Sequence, residues 1–296
     1  MPTRPTGTTV PRRQLGRHLR ELRGKARLTV KAAAEAMEWS ETTIWRIENG
    51  HTSVRGHDVE LMCRIYGAPI KLTEGLVGLA KETKNGKSWW HAYGDVIPES
   101  FDLYIGLEET AERLSSYQSE RVPGLVQTED YARTLIRADN PSESDEEIER
   151  RVQVRVQRQA LLTRIVEPPQ INFVLHEAVL RPAIGSNEIM AGQLAHLAEV
   201  NRLPNVSVRV IPFVHGLHPG IMSGQFVMMH FPANGDGRPS EPTTIYVEGF
   251  TGALYLEKPE EVERYQAAFT STWNAALSEA DSTSFLHQAA KGFQRE

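Results

Sequence analysis

One cysteine, Cys63, stands among 296 residues, which excludes an internal disulfide and any multi-cysteine zinc site and suits a reducing compartment. No stretch approaches the roughly 18 apolar residues that a membrane span needs. The first residues, Met1-Pro-Thr-Arg-Pro-Thr-Gly-Thr-Thr, have no apolar centre of the kind a signal peptide carries. A cytoplasmic chain with no membrane contact is expected. There is no Gly-x-Ser-x-Gly elbow, no His-Glu-x-x-His helix and no internal repeat. Gly86-Lys87-Ser88 ends like a phosphate loop, but Lys81 stands where that loop needs its first glycine. The expectation is a protein that is not an enzyme and that carries no cofactor and no metal.

What is present is an uneven charge distribution. Residues 1–69 carry 12 Lys/Arg against 7 Asp/Glu, a net +5, while residues 70–296 carry 21 against 31, a net −10. A basic head on an acidic body suits a polyanion at one end only.

Leu15, Leu19 and Leu22 recur at helical spacing among Arg12, Arg13, Arg17, Arg20 and Arg23, which predicts an amphipathic first helix with a basic outer face. Thr29 is placed to cap a second helix, Val30 to Met37, and Ser40 a third, Glu41 to Glu48, closed by Asn49-Gly50. Only Glu38 and Trp39 separate them, a turn short enough to hold the pair at a steep angle. A fourth helix carries Val59, Met62, Cys63 and Tyr66, with Cys63 read as packing. On the third helix Ile44 and Ile47 point inward, whereas Glu41, Thr42, Trp45 and Arg46 share an outward face. Arg forks onto guanine, Thr meets a thymine methyl or a phosphate, and Glu accepts from cytosine. The alternatives stay open: Glu41 also suits the helix dipole, and Trp45 is equally suited to packing on a later helix. Glu48, near the inner face, is expected to pair with Arg23.

The run from Leu28 to Gly50, LTVKAAAEAMEWSETTIWRIENG, resembles the Xre (phage repressor-like) helix-turn-helix pattern. The resemblance implies base readers at Glu41, Thr42 and Arg46, and a buried ion pair between Arg23 and Glu48. The full set expected to face DNA is Thr29, Val30, Ser40, Glu41, Thr42, Thr43, Trp45, Arg46 and Asn49. Two departures matter. Val30 stands where a phosphate-binding Gln is common, which leaves the backbone amide to do that work. Glu38 stands where a Gly with positive φ is usual, at a cost on the order of 1 kcal/mol.

Residues 1–11 read as a flexible arm, 12–69 as the helix-turn-helix domain, and 70–104 as a helical linker with the aromatic cluster Trp89-Trp-His-Ala-Tyr. Residues 105–296 read as a larger α+β domain, so the fold class is an all-α head with an α+β body. Strands are expected near 112–119, 171–175, 206–211, 225–229, 244–247 and 253–256. Helices are expected from Thr128, from the capping box Ser144-Asp-Glu-Glu147 through about Arg164, and near 188–201, 259–277 and 281–292. Val152, Val154 and Val156 alternate like a strand, but the cap and the Arg/Gln-rich continuation favour helix. Residues 233–242 read as a disordered tract.

Six dispersed stretches resemble the C-terminal domain of the WhiJ-like Xre regulators of actinomycetes. They are Val122–Thr128, Arg155–Leu162, Leu175–Leu180, Gln193–Leu197, Val210–Phe213 and Tyr246–Glu248. The resemblance implies a regulator, often paired with a small protein encoded nearby, in an arrangement like a toxin–antitoxin or developmental switch, and no established catalytic activity for this domain. His176-Glu177 and the pair His215 and His218 in a Gly-rich loop, with Glu177 or Glu248 to supply a carboxylate, form a weak metal candidate, set below a plain Gly-shaped loop. The loop from Phe213 to Gly224 reads instead as a docking or sensing element, and Trp89, Trp90, Tyr246, Phe250 and Tyr255 as anchors or core. The expectation is a homodimer on a double-stranded DNA operator, controlled through its body by a small protein partner or a small-molecule effector. The alternative is a protein–protein adaptor or antitoxin-like partner, with DNA contact secondary.

Overall fold

The computed structural model describes residues 10–85, 99–165, 167–233, 239–250 and 252–294. Chain contacts divide it into two units, residues 1–107 and 108–296. Gly86-Lys87-Ser88, Trp89, Trp90, most of the N-terminal arm and part of 233–242 lie outside the described residues.

The first unit is helical. Its elements are α1 (Val10–Lys25), α2 (Val30–Met37), α3 (Glu41–Glu48), α4 (Gly56–Ile65) and α5 (Ile70–Asn85). The three leucines of α1 are buried, as their spacing requires, against Ala33, Ala34 and Met37 of α2 and Ile44 and Ile47 of α3. Val59, Met62 and Cys63 of α4 close the core, and Leu76 and Ala80 of α5 join it. That last contribution comes from residues the sequence reading placed in the linker stretch. α6 (Glu99–Thr110) spans the division between the units. It escaped the reading because Leu103, Tyr104, Ile105 and Leu107 are all buried. A helix covered nearly all round shows no 3.6-residue alternation.

The second unit is built on one mixed sheet. Its strands are β1 (Arg113–Gln118), β2 (Gln170–His176), β3 (Val206–Ile211), β4 (Phe226–His230), β5 (Thr244–Gly249) and β6 (Gly252–Leu256), in the order β3-β2-β1-β4-β5-β6. β1, β2 and β3 are parallel, and β4, β5 and β6 continue antiparallel. Parallel neighbours need long crossovers. These are α7 (Glu129–Asp139) with α8 (Asp145–Arg158) before β2, and α9 (Asn187–Val200) before β3. The carboxyl ends of β1, β2, β3 and β5 therefore share one edge of the sheet. On one face Tyr117, Val174, Ile211, Phe226, Met228 and Ile245 pack with Phe269 of α11 (Pro259–Ala275). α12 (Glu279–Phe293) packs on α9 and β3.

α8 opens with the expected capping box: Glu147 N–H donates to Ser144 Oγ at 3.3 Å, and Ser144 N–H to Glu147 Oε2 at 2.9 Å. Val152 and Val154 lie buried on this helix rather than on a strand. The helix stops at Arg158, and Gln159–Thr163 tighten into a 3-10 turn. Gln159 Nε2 donates to Gln127 O at 2.6 Å there. The all-α head and α+β body are as expected. A short α10 (Pro219–Ser223) forms inside the stretch read as loop.

Candidate nucleic-acid interface

α3 is held at both ends by local bonds. At its start Ser40 Oγ accepts from Thr43 N–H at 3.1 Å and bonds Thr43 Oγ1 at 2.8 Å. α2 is capped in the same way, with Thr29 Oγ1 accepting from Ala32 N–H at 3.1 Å. Between the helices Glu38 adopts φ 57, ψ 35, the left-handed conformation that glycine takes without a Cβ penalty. Val30 is half-buried against the core.

The outward face of α3 is open. Glu41, Thr42, Trp45 and Arg46 are exposed while Ile44 and Ile47 are buried. Trp45 is 51% exposed and stacks on His51 with ring centroids 5.3 Å apart, rather than entering the core. Arg46 Nε donates to Thr52 Oγ1 at 3.1 Å, which holds the guanidinium beside the loop that follows α3. Asn49 Nδ2 donates to Trp45 O at 2.7 Å, and Arg20 donates to Asn49 Oδ1.

Behind this face lies the Arg23–Glu48 pair. Arg23 Nε and Nη2 reach the two oxygens of Glu48 at 2.7 Å each, and Nη1 donates to Leu28 O at 2.9 Å. Glu48 is 3% exposed. Its carboxylate, through the bond and its charge, raises the Arg23 pKa further. The pair ties the carboxyl end of α3 to α1 and to the turn before α2. Arg20 adds a bond from Nη2 to Glu48 O at 3.0 Å.

Two features went unread in the sequence. Gly16 of α1 lies so close to α3 that a Cβ would stand 2.5 Å from Ile47 O and 2.7 Å from Glu48 O. Only a tertiary contact discloses that. Thr52, Ser53 and Arg55 line a shallow groove beside Thr43, and Arg55 is exposed. The polar run after Gly50 was the available signal.

The sequence matches the helix-turn-helix domain family over residues 14–76 and the family described as a domain of unknown function (DUF5753) over residues 101–288. The chain belongs to the DUF5753 family. Residues 14–76, within its first unit, are a helix-turn-helix DNA-binding domain. No curated protein and no solved structure matches it. No helix among the described residues is long and apolar enough to cross a membrane.

The DUF5753 unit brings the dispersed stretches together in pairs. Glu177 Oε2 accepts from Phe213 N–H at 2.7 Å, joining Leu175–Leu180 to Val210–Phe213. Gln193 Nε2 donates to Val126 O at 2.7 Å, and its Oε1 accepts from Thr128 N–H at 2.8 Å. Arg155 Nη1 donates to Gln127 Oε1 at 2.6 Å. Of the weak metal candidates, His218 is buried, with its ring centroid 5.4 Å from His176 and 6.3 Å from His215. His176 Nδ1 accepts from Ala178 N–H. Glu248 pairs with Arg121 at 2.6 Å and Glu177 with Arg181. Among the described residues no group of three or more His, Cys, Asp or Glu is arranged to hold a metal ion.

In the same loop as His215 and His218, Phe213, Val214, Leu217, Ile221 and Met222 are exposed within ten residues. Gly216 and Gly224 have positive φ in that loop. Tyr246 is buried and packs on Tyr255, while Phe250 is fully exposed.

Proposed function

We propose that the protein is a sequence-specific transcription regulator of the Xre family, of the WhiJ-like type, acting in the cytoplasm as a homodimer on a double-stranded DNA operator. The observation that carries this reading is the exposed row Glu41, Thr42, Trp45 and Arg46 on a helix locked from behind by Arg23 and Glu48. Two copies of α3 in successive major grooves would stand about 34 Å apart on a pseudo-palindrome. Arg46 serves as the forked base reader and Thr42 as its neighbour. Ser40, Thr43, Thr29 and the Val30 amide face phosphate. The helix dipole of α2 supports that phosphate contact. In this proposal neither unit catalyses a reaction: the chain acts by binding.

In this proposal the acidic DUF5753 unit receives the signal, from a small protein encoded nearby or from a small-molecule effector, in an antitoxin-like arrangement. The five exposed apolar side chains between Phe213 and Met222 support a docking role, since an apolar patch of that kind marks an interaction surface. They also favour the second reading, an adaptor whose DNA contact is secondary. A gel shift with DNA from upstream of the protein's own gene separates the two. The regulator binds at nanomolar concentration, and Arg46→Glu lowers affinity at least 100-fold with an unchanged circular dichroism spectrum. Equal footprints from the variant and the parent would remove α3 from the interface. Calorimetry with the neighbouring gene product tests docking, and no heat at micromolar concentration counts against it.

A further inference from the structure

Three of the dispersed stretches converge at the carboxyl edge of β1 and β5 on a group of charges that the proposed DNA contact does not use. At its floor Arg158 forms a forked pair with Glu108, Nε and Nη2 each 2.8 Å from a carboxylate oxygen, with both side chains at most 5% exposed. At its mouth Arg121 pairs with Glu248 at 2.6 Å, both side chains more than two-fifths exposed. Between them, one turn before Arg158 on α8, lies the half-buried Arg155. It bonds the Gln127 carboxamide and, among the described residues, no carboxylate. Gln127 is itself fixed, 1% exposed, with Nε2 donating to Val122 O. Gly124 lets the turn approach closely: a Cβ there would stand 3.2 Å from Arg155 Cδ and 3.3 Å from Arg158 Nη1.

Among the described residues, three guanidiniums thus stand beside two carboxylates, each carboxylate paired to one of the other two arginines, which leaves the charge of Arg155 in excess. Among the described residues, four of the five N–H donors of Arg155 have no protein acceptor, and its fork matches the spacing of oxygens on a carboxylate or phosphate. Burial, then the charges of Arg158 and Arg121, lower the Arg155 pKa to about 10. A guanidinium placed so gains a counter-ion on binding an anion. We propose that this cluster is the binding site of a small oxyanion, with Arg155 as its principal ligand and Arg121 swinging from Glu248 to close the mouth. This deepens the effector reading above, on which it rests, by naming the chemical class of the effector.

Isothermal titration of the full chain without DNA, at constant ionic strength, tests it with inorganic phosphate and separately with succinate. One equivalent of at least one of these binds the parent, phosphate alone identifying a phosphate ester and succinate alone a carboxylate. Arg155→Gln loses the binding, and Arg155→Lys, which keeps the buried charge without the fork, binds about tenfold more weakly. Arg133→Gln leaves it unchanged, because that guanidinium already sits between Asp130 and Glu149. Binding of neither anion, equal binding by Arg155→Gln, or equal loss in Arg133→Gln overturns the site. If Arg155→Gln does not fold, parental affinity in Arg155→Lys overturns it. With no DNA present, a failed gel shift leaves this result standing, and an absent titration leaves the DNA reading untouched.

Discussion

Glu38 and Gly16 show how single positions shape the helix-turn-helix. Glu38 is exposed and left-handed, so its carboxylate contributes no packing while its Cβ strains the turn. Glu38→Gly should therefore stabilise the protein, by about 0.5–1 kcal/mol after the extra backbone entropy of glycine is set against the relief. A higher urea midpoint with an unchanged slope is the expected readout, and a lower midpoint would show the strain to be absent. Gly16→Ala works in the opposite sense. Its methyl meets carbonyl oxygens of α3, which belong to backbone and do not swing away. A loss of roughly 1–3 kcal/mol is expected, again by urea unfolding, together with weakened DNA binding. Cys63 needs no chemistry to explain it: it is buried, and burial raises its thiol pKa away from the reactive thiolate.

At the scale of elements, α3 is a short helix whose outer face is spent on exposed polar groups, so its position depends on what anchors its ends. Eight residues cannot hold a helix in isolation. The Arg23–Glu48 fork supplies the anchor. Glu48→Gln leaves a guanidinium in a nearly enclosed site without its counter-charge, and should cost about 3 kcal/mol, measured by chemical unfolding. The double variant Arg23→Met/Glu48→Met should recover most of that loss. Additive losses would show the two residues to be uncoupled.

Most elements were legible in the sequence because their signals are local. Thr29, Ser40 and Ser144 mark helix starts by hydrogen bonds spanning three residues, and β3 and β5 are short runs rich in β-branched residues. α6 and α10 were not, since one is covered nearly all round and the other is a five-residue helix that opens on a proline. The outward row of α3 followed from helical period alone. Gly16, and the meeting of Arg121, Arg155 and Arg158, did not, because residues far apart in sequence come together only through packing.

Over the whole molecule, the net +5 of residues 1–69 and the net −10 of the remainder place attraction to a polyanion at one end. The body also carries a pH dependence. His230 on β4 pairs in register with Arg113 and bonds Thr243 Oγ1 at 3.1 Å. Burial, then the Arg113 charge, lower its pKa from 6.5 to about 4. Between those values the unfolded chain binds a proton that the folded chain refuses, so stability falls as pH drops from 6.5 towards 4. Relative to His230→Gln, the parent should lose about 2 kcal/mol more between pH 7 and pH 5 in urea titrations. Parallel losses in the two proteins would refute the assignment to His230.

The helix-turn-helix, its caps, the outward row of α3 and the α+β body were determined by the sequence alone. Each rests on periodicity, capping chemistry or composition, which act over a few residues. Only the tertiary structure decided that Gly16 must carry no side chain and that α5 completes the first core. It alone set three arginines, from β1's exit and α8, beside two glutamates. Such contacts depend on the parallel order of β1, β2 and β3 and on the crossing of α1 over α3, geometry that no local pattern encodes.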